Sequence, residues 1–230
     1  MKNIVGKKNL DKKELIFNIS SYSPIVEAYR NLRSNLNFLS PDKDLKSISF
    51  TSCEPGDGKT LTTINLAISM ANNNQKVILI DGDLRRPKLH SILNLTSFDG
   101  LSDVLSGDCR LDEAIRKHEV DNLLVIPAGS IPPNPSELIS SKKMRDLIEK
   151  AKDKADIVLI DSPPISLSDS AILGNIVDGS ILVVQSHYTK ENQVREAIDR
   201  LTKANSKILG TVLNFHPIKK LDGYYGDYYN

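Results

Sequence analysis

The residues with the clearest chemistry lie in the segment 47–63, SISFTSCEPGDGKTLTT. A short apolar stretch runs into a Pro/Gly turn, and Gly58-Lys59-Thr60 then opens a helical pattern. Backbone N–H groups of such a turn converge on phosphate oxygens, and the helix N-terminus adds its positive end. Lys59 is placed to reach the β- and γ-phosphates of a nucleotide, and the Thr60 hydroxyl to ligate Mg²⁺. Pro55, Gly56, Asp57, Gly58, Lys59, Thr60 and Leu61 are therefore the candidate ATP-binding residues. One departure from G-x-x-x-x-G-K-[ST] is visible: Cys53 stands at the first glycine. A Gly-rich turn that binds nothing is the plainer alternative. Strand, loop and helix in the order the motif requires argue against it.

Two further apolar runs end in carboxylates. Residues 77–80 run into Asp81-Gly82-Asp83-Leu84-Arg85-Arg86-Pro87, and residues 157–160 run into Asp161-Ser162-Pro163-Pro164. In doubly wound sheets ligands bind at the carboxyl ends of strands. An apolar strand closing on Asp, downstream of a phosphate loop, is the usual source of a Mg²⁺-organising carboxylate. One such Asp is weak evidence, because strands often end in turn-forming Asp. Asp81, Asp83 and Asp161 after two strands are a much stronger signal.

The elements that must position these groups alternate. Strands are expected at 47–52, 76–80, 122–127, 156–160, 180–185 and 207–213. VILI, LLVI, IVLI and ILVV are short continuous apolar runs, as parallel strands covered on both faces require. Helices are expected at 59–73, 102–105 with 111–117, 135–151, 169–177 and 190–204. This order predicts a doubly wound, mostly parallel α/β fold. Ahead of it, Ser23-Pro24 reads as a helix start, with Ile25, Tyr29, Leu32, Leu36 and Leu39 on one apolar face. Glu27, Arg30 and Arg33 form a charged stripe beside that face. A solvated helix face is the ordinary reading of such a stripe.

The ends differ from the body. Residues 1–21 are Lys-rich and read as a mobile arm, 22–217 as the P-loop domain, and 218–230 as a flexible tail. Four of the seven tyrosines, Tyr224, Tyr225, Tyr228 and Tyr229, fall in the last seven residues. The net charge of +1 gives no indication of a nucleic-acid partner. No apolar run approaches the ~20 residues of a membrane span, and the N-terminus lacks a signal-peptide core. The expectation is a protein with no membrane span of its own. Two cysteines, Cys53 and Cys109, give no metal spacing and no disulfide framework, so a cytoplasmic location is expected.

VILIDGDLRRP, EPGDGKT and IVLIDSPP together resemble the bacterial tyrosine kinases of the CpsD/CapB type, found with capsule and exopolysaccharide synthesis. Glu27-Ala-Tyr-Arg30-Asn-Leu-Arg33 fits that family's ExxRxxR helix. Gly100-Leu-Ser-Asp-Val-Leu105 and Pro132-Pro-Asn-Pro-Ser-Glu-Leu138 are also similar, and the resemblance spans about 23–229. It implies a P-loop fold of the MinD/ParA-like type using ATP and Mg²⁺. It implies that Lys59 and Thr60 hold nucleotide and metal, and that Asp81 accepts the proton of an incoming tyrosine. Asp83 and Asp161 then organise Mg²⁺, and Asn214 resembles an adenine-contacting asparagine. Glu27, Arg30 and Arg33 become the contact of a homo-oligomeric ring. Tyr224, Tyr225, Tyr228 and Tyr229 become phosphoacceptors, reached in trans. Implied partners are a membrane polysaccharide co-polymerase that activates the kinase at the inner face of the membrane, tyrosine-phosphorylated protein substrates, and a cognate phosphatase.

Two other classes stay open on sequence alone. A MinD/ParA-like regulatory ATPase carries an extra lysine early in its loop, where this chain has Glu54. A non-catalytic subunit that binds nucleotide only to dock has no need of Lys59, Thr60, Asp81, Asp83 and Asp161 together.

Overall fold

The computed structural model describes residues 15–39, 45–95 and 99–217. After a 3-10 turn at Ile16–Asn18, α1 (Pro24–Leu39) leads to β1 (Ser47–Ser52), α2 (Lys59–Ala71) and β2 (Val77–Asp81). Short helices α3 (Leu89–Ile92), α4 (Leu101–Ser106) and α5 (Leu111–Ala114) precede β3 (Arg116–Lys117) and β4 (Leu123–Ile126). Then come α6 (Pro135–Ser140), α7 (Lys142–Lys152), β5 (Ile157–Asp161), α8 (Ser168–Ile176), β6 (Gly179–Gln185), α9 (Glu191–Lys203) and β7 (Ile208–Asn214). The strands form one seven-stranded sheet in the order β3-β4-β2-β5-β1-β6-β7. Every pairing is parallel except β3 with β4.

Continuous apolar strands serve two cores because side chains alternate across a sheet. Val77 and Leu79 join Ile157 and Leu159 beneath α1 and α2. Ile78 and Ile80 join Val158 and Ile160 beneath α4, α6 and α7. Each of these strand residues is at most 6 % exposed, worth roughly 1.5–3 kcal/mol apiece. Every residue of α2 is buried, because the sheet covers one side and α1 another. That burial fixes the helix whose first residues are Lys59 and Thr60.

The structure corrects four readings. Residues ahead of 22 belong to the packed body: Leu15 and Ile16 are buried, and the Ile16 N–H donates to Asn65 Oδ1 at 3.0 Å. The α1 face turned inward centres on Val26 and Leu36, whereas Ile25 and Leu39 are exposed. The expected helix at 135–151 is two helices, broken at Ser141, whose ψ of 157° is extended and whose hydroxyl caps the Met144 N–H. The expected helix at 111–117 ends at Ala114, and Arg116–Lys117 becomes the antiparallel edge strand. The arm before Leu15 and the tail from 218 onward, with Tyr224, Tyr225, Tyr228 and Tyr229, lie outside the described residues.

Candidate active site

The carboxyl ends of β1, β2, β5 and β7 meet at one edge of the sheet. Lys59 follows β1, Asp81 ends β2, Asp161 ends β5 and Asn214 ends β7. Strands β2 and β5 are neighbours with Asp81 and Asp161 as cross-strand partners, so the register itself sets two carboxylates side by side.

The loop from β1 to α2 is built by two glycines and several side-chain braces. Gly56 and Gly58 have φ of 106° and 88°, a region that side chains rarely adopt. At Gly58 a Cβ would also stand 1.9 Å from Asn214 Nδ2. Asp57 turns back into the loop and accepts the Glu54 N–H at 3.0 Å and the Thr189 hydroxyl at 3.2 Å. Asn214 Nδ2 donates to the Asp57 carbonyl at 3.0 Å, and Gln193 donates to Glu54 at 3.0 Å. The 186–193 region and the end of β7 therefore hold the loop from outside. Thr189 and Gln193 have no spacing signal in the sequence, since their role arises only from the order of the sheet.

Inside the loop, Lys59 Nζ lies 3.2 Å from Asp161 Oδ1 and 3.4 Å from both Asp83 Oδ2 and Thr60 Oγ1. The Thr60 hydroxyl donates to Asp161 Oδ2 at 2.7 Å. Asp81 is fully buried; its oxygens accept N–H groups of Asp83 at 3.3 Å, Lys88 at 3.1 Å and Leu89 at 3.0 Å. Asp83 Oδ1 accepts the Arg86 N–H at 3.1 Å. Burial pulls the Lys59 pKa down, but Asp161, Asp83 and Asp81 outweigh it and hold the ammonium above its ordinary value. Burial, with the neighbouring Asp161 charge, pushes the Asp81 carboxyl up to about 7. Burial also raises Asp161, although Lys59 and Thr60 oppose it.

The donor set suits a hard cation. The Thr60 hydroxyl and the Asp161 carboxylate already touch, with Asp83 reached across the same ammonium. Mg²⁺ takes one or two carboxylates, and the rest of its shell from waters and substrate phosphates. No group of three or more His, Cys, Asp or Glu arranged for a metal occurs among the described residues, so a cation here draws on the hydroxyl and on phosphate as well.

The ExxRxxR stripe sits elsewhere, along α1. Arg33 Nη1 donates to the Ser69 carbonyl at 2.6 Å, anchoring α1 to α2. Arg30 pairs with Glu27 at 3.3 Å, both about half exposed. Arg30 and Arg33 line a cleft of about 250 Å³ with Ile16, Val26, Ser69, Asn72 and Asn73.

Known proteins resemble this chain over most of its length. An AAA domain model matches residues 45–211. The chain is 41% identical over 203 residues to tyrosine-protein kinase YwqD of Bacillus subtilis, covering 87% of this chain and 86% of that one. It is 37% identical to the putative tyrosine-protein kinase CapB of Staphylococcus aureus, covering 88% and 90%. Tyrosine-protein kinase etk of Escherichia coli K12 matches at 37% over 82% of this chain but 26% of its own length. Among solved structures, the chimerical protein CapA2B2 superposes with a TM-score of 0.85 at 35% identity, covering 90% and 91%. The cell division ATPase MinD of Pyrococcus furiosus superposes at 0.64 with 31% identity, covering 73% and 71%, which matches the expected MinD/ParA-like P-loop fold. Likeness of this degree to named kinases, over most of both chains, establishes that the chain belongs to the CpsD/CapB family of bacterial tyrosine-protein kinases, enzymes that phosphorylate protein tyrosine.

Proposed function

We propose that the chain transfers the γ-phosphoryl group of ATP to Tyr224, Tyr225, Tyr228 and Tyr229 of a neighbouring copy. The observation that carries this reading is the convergence of Lys59 and Thr60 on Asp161 and Asp83, beside the cross-strand pair Asp81 and Asp161. Phosphoryl transfer needs positioning and charge stabilisation more than covalent chemistry from the protein. Loop N–H groups and Lys59 hold the phosphates, and Lys59 exchanges its carboxylate partners for them. Thr60, Asp83 and Asp161 hold Mg²⁺, which neutralises charge on the phosphates when bound. Asp81 takes the tyrosine proton: a phenol of ordinary pKa near 10 is neutral at pH 7, and a carboxyl poised at about 7 is well matched to accept its proton. Because Asp81 is fully buried, the acceptor ring has to enter the carboxylate cluster. Asn214 serves the adenine side, next to Gly58.

Assembly belongs to the same reading. Glu27 and Arg30 meet a neighbouring subunit in a homo-oligomeric ring, and Arg33 forms the floor of that contact while holding α2. Each phosphotyrosine adds about −1.5 to −2 charges, so phosphorylated tails repel one another and the ring dissociates. A membrane polysaccharide co-polymerase supplies the activating segment and holds the kinase at the inner face of the membrane. The match to etk supports this: in that relative the kinase portion is a quarter of a longer protein. No described helix is long and apolar enough to cross a membrane. Other tyrosine-phosphorylated proteins and a cognate phosphatase complete a cycle regulating capsular or exopolysaccharide synthesis.

The test is phosphopeptide mapping after incubation with Mg-ATP, with and without the co-polymerase cytoplasmic segment. Label concentrated on the four tail tyrosines, and lost when all four are changed to Phe, is the expected result. Main label on Tyr22, Tyr29 or Tyr188 overturns the choice of acceptors.

A further inference from the structure

Arg85 lies two residues beyond Asp83, in the turn that carries it. That turn is closed by the Arg86 N–H, which meets both the Asp83 carbonyl at 3.2 Å and Asp83 Oδ1 at 3.1 Å. On its inner side the turn abuts β5: the Gly82 N–H donates to the Asp161 carbonyl at 2.8 Å, and a Cβ at Gly82 would come within 3.1 Å of that oxygen. On its outer side the turn is gripped through Arg85. Arg85 Nε donates to Asp169 Oδ2 at 2.7 Å, and Nη2 reaches Asp169 Oδ1 at 3.4 Å and Ser136 Oγ at 2.7 Å. Ser136 in turn donates to Asp169 Oδ1 at 2.5 Å.

The three partners come from three segments. Arg85 follows β2, Ser136 is in the first turn of α6, and Asp169 is in the first turn of α8. The Asp169 side chain is 2% exposed and the Arg85 side chain 38%. A buried carboxylate that accepts a planar fork and a hydroxyl has one orientation, and it dictates where the guanidinium sits. None of these hydrogen bonds involves Lys59, Thr60 or the loop around them.

We propose that Arg85 is a positioning residue for phosphoryl transfer: clamped by Asp169 and Ser136, it fixes the turn that presents Asp83 to Lys59 within the phosphoryl-transfer site. The inference rests on the kinase reading above. The turn has Asp83 at one end and Arg85 near the other, so releasing Arg85 frees Asp83 to rotate away from Lys59. Misplacement of a positioning group by about 1 Å costs up to roughly a hundredfold in rate. Asp169, which no sequence motif marked, becomes part of the active-site frame through Arg85.

The experiment measures initial rates of phosphotyrosine formation against ATP concentration, together with the thermal midpoint. It uses the full chain, with the activating segment wherever the wild type requires it. Arg85→Ala is expected to lower the rate at saturating ATP by roughly tenfold to a hundredfold. The half-saturating ATP concentration moves much less, because the loop glycines and the braces from Thr189, Gln193 and Asn214 stay in place. Arg85→Lys keeps the charge without the fork and recovers part of the rate. Asp169→Asn, nearly isosteric, lowers the rate as Arg85→Ala does, and the double variant is no slower than the worse single one. Should Arg85→Ala fail to fold, Asp169→Asn and Ser136→Ala carry the same comparison. Saturating rates unchanged per folded molecule, Arg85→Lys no better than Arg85→Ala, or fully additive losses each overturn the positioning role. A wild type that forms no phosphotyrosine under either condition overturns the kinase reading itself, so the two failures are distinct.

Discussion

Replacing Lys59 by Met probes the carboxylate cluster through stability, independently of catalysis. The ammonium sits 3.2 Å from Asp161 and 3.4 Å from Asp83, and its side chain is 10% exposed. Removing one partner from a buried ionic cluster typically costs about 3–5 kcal/mol, because the remaining charge is left unpaired. The sign with pH follows from the raised carboxyl groups. Asp81 is at about 7 and Asp161 is raised even with Lys59 present; without it both rise further. A folded-state pKa above the unfolded value contributes stability that is full below the unfolded pKa and lost as pH rises through the folded one. The variant is therefore close to wild type at about pH 5 and weaker by ~3–5 kcal/mol at about pH 8. For a chain of this size that is roughly 6–20 °C in thermal midpoint at the higher pH. Urea unfolding of both proteins at the two pH values reads the difference directly, and groups that titrate alike in both cancel. A deficit that is equal at both pH values, or larger at the acidic one, refutes the placement of Lys59 as the counter-ion of this cluster.

Three further outcomes follow from the same geometry. Gly58→Ala places a methyl 1.9 Å from Asn214 Nδ2 at a φ of 88°; strain of ~1–3 kcal/mol and loss of nucleotide binding are expected by calorimetry. Asp81→Ala leaves Lys59 and Thr60 in place, so it slows phosphotyrosine formation strongly while a fluorescent ATP analogue still binds. Arg33→Ala removes the bond to the Ser69 carbonyl and lowers stability by ~1–3 kcal/mol, whereas Arg30→Ala, half exposed, leaves stability nearly unchanged. Light scattering on the Arg30 variant then reports assembly free of a folding defect, and an oligomer of wild-type mass would remove Arg30 from the proposed contact.

Much of the sheet is legible in four apolar runs, because strands buried on both faces leave no polar positions to confuse the period. The phosphate loop is legible because its glycines answer to backbone geometry, and backbone geometry needs a fixed spacing. Strand order is different. Nothing local in IVLID or VILID tells that they lie side by side, so the pairing of Asp81 with Asp161 emerges only from the assembled sheet. The break at Ser141 is hidden for a related reason: Ser141 reads as one polar residue in a helical pattern, yet it ends α6 and caps α7. Leu15 and Ile16 are masked by the lysines around them, although their burial against α2 makes them part of the body. Arg33 reads as surface charge because its partner is a backbone carbonyl on α2, and carbonyls leave no mark on a sequence. Thr189, Gln193 and Asp169 act through contacts that span 132, 139 and 84 residues of chain, beyond any spacing rule.

The central claim is that Lys59, Thr60 and the aspartates at the ends of β2 and β5 form a phosphoryl-transfer site serving the tail tyrosines. Mass spectrometry of the full chain after incubation with Mg-ATP and the co-polymerase cytoplasmic segment, run beside Lys59→Met, tests it most directly. The prediction is phosphate on Tyr224, Tyr225, Tyr228 and Tyr229 of the wild type and none on the variant. Equal incorporation in the two proteins, or none in the wild type with the segment present, would contradict the account.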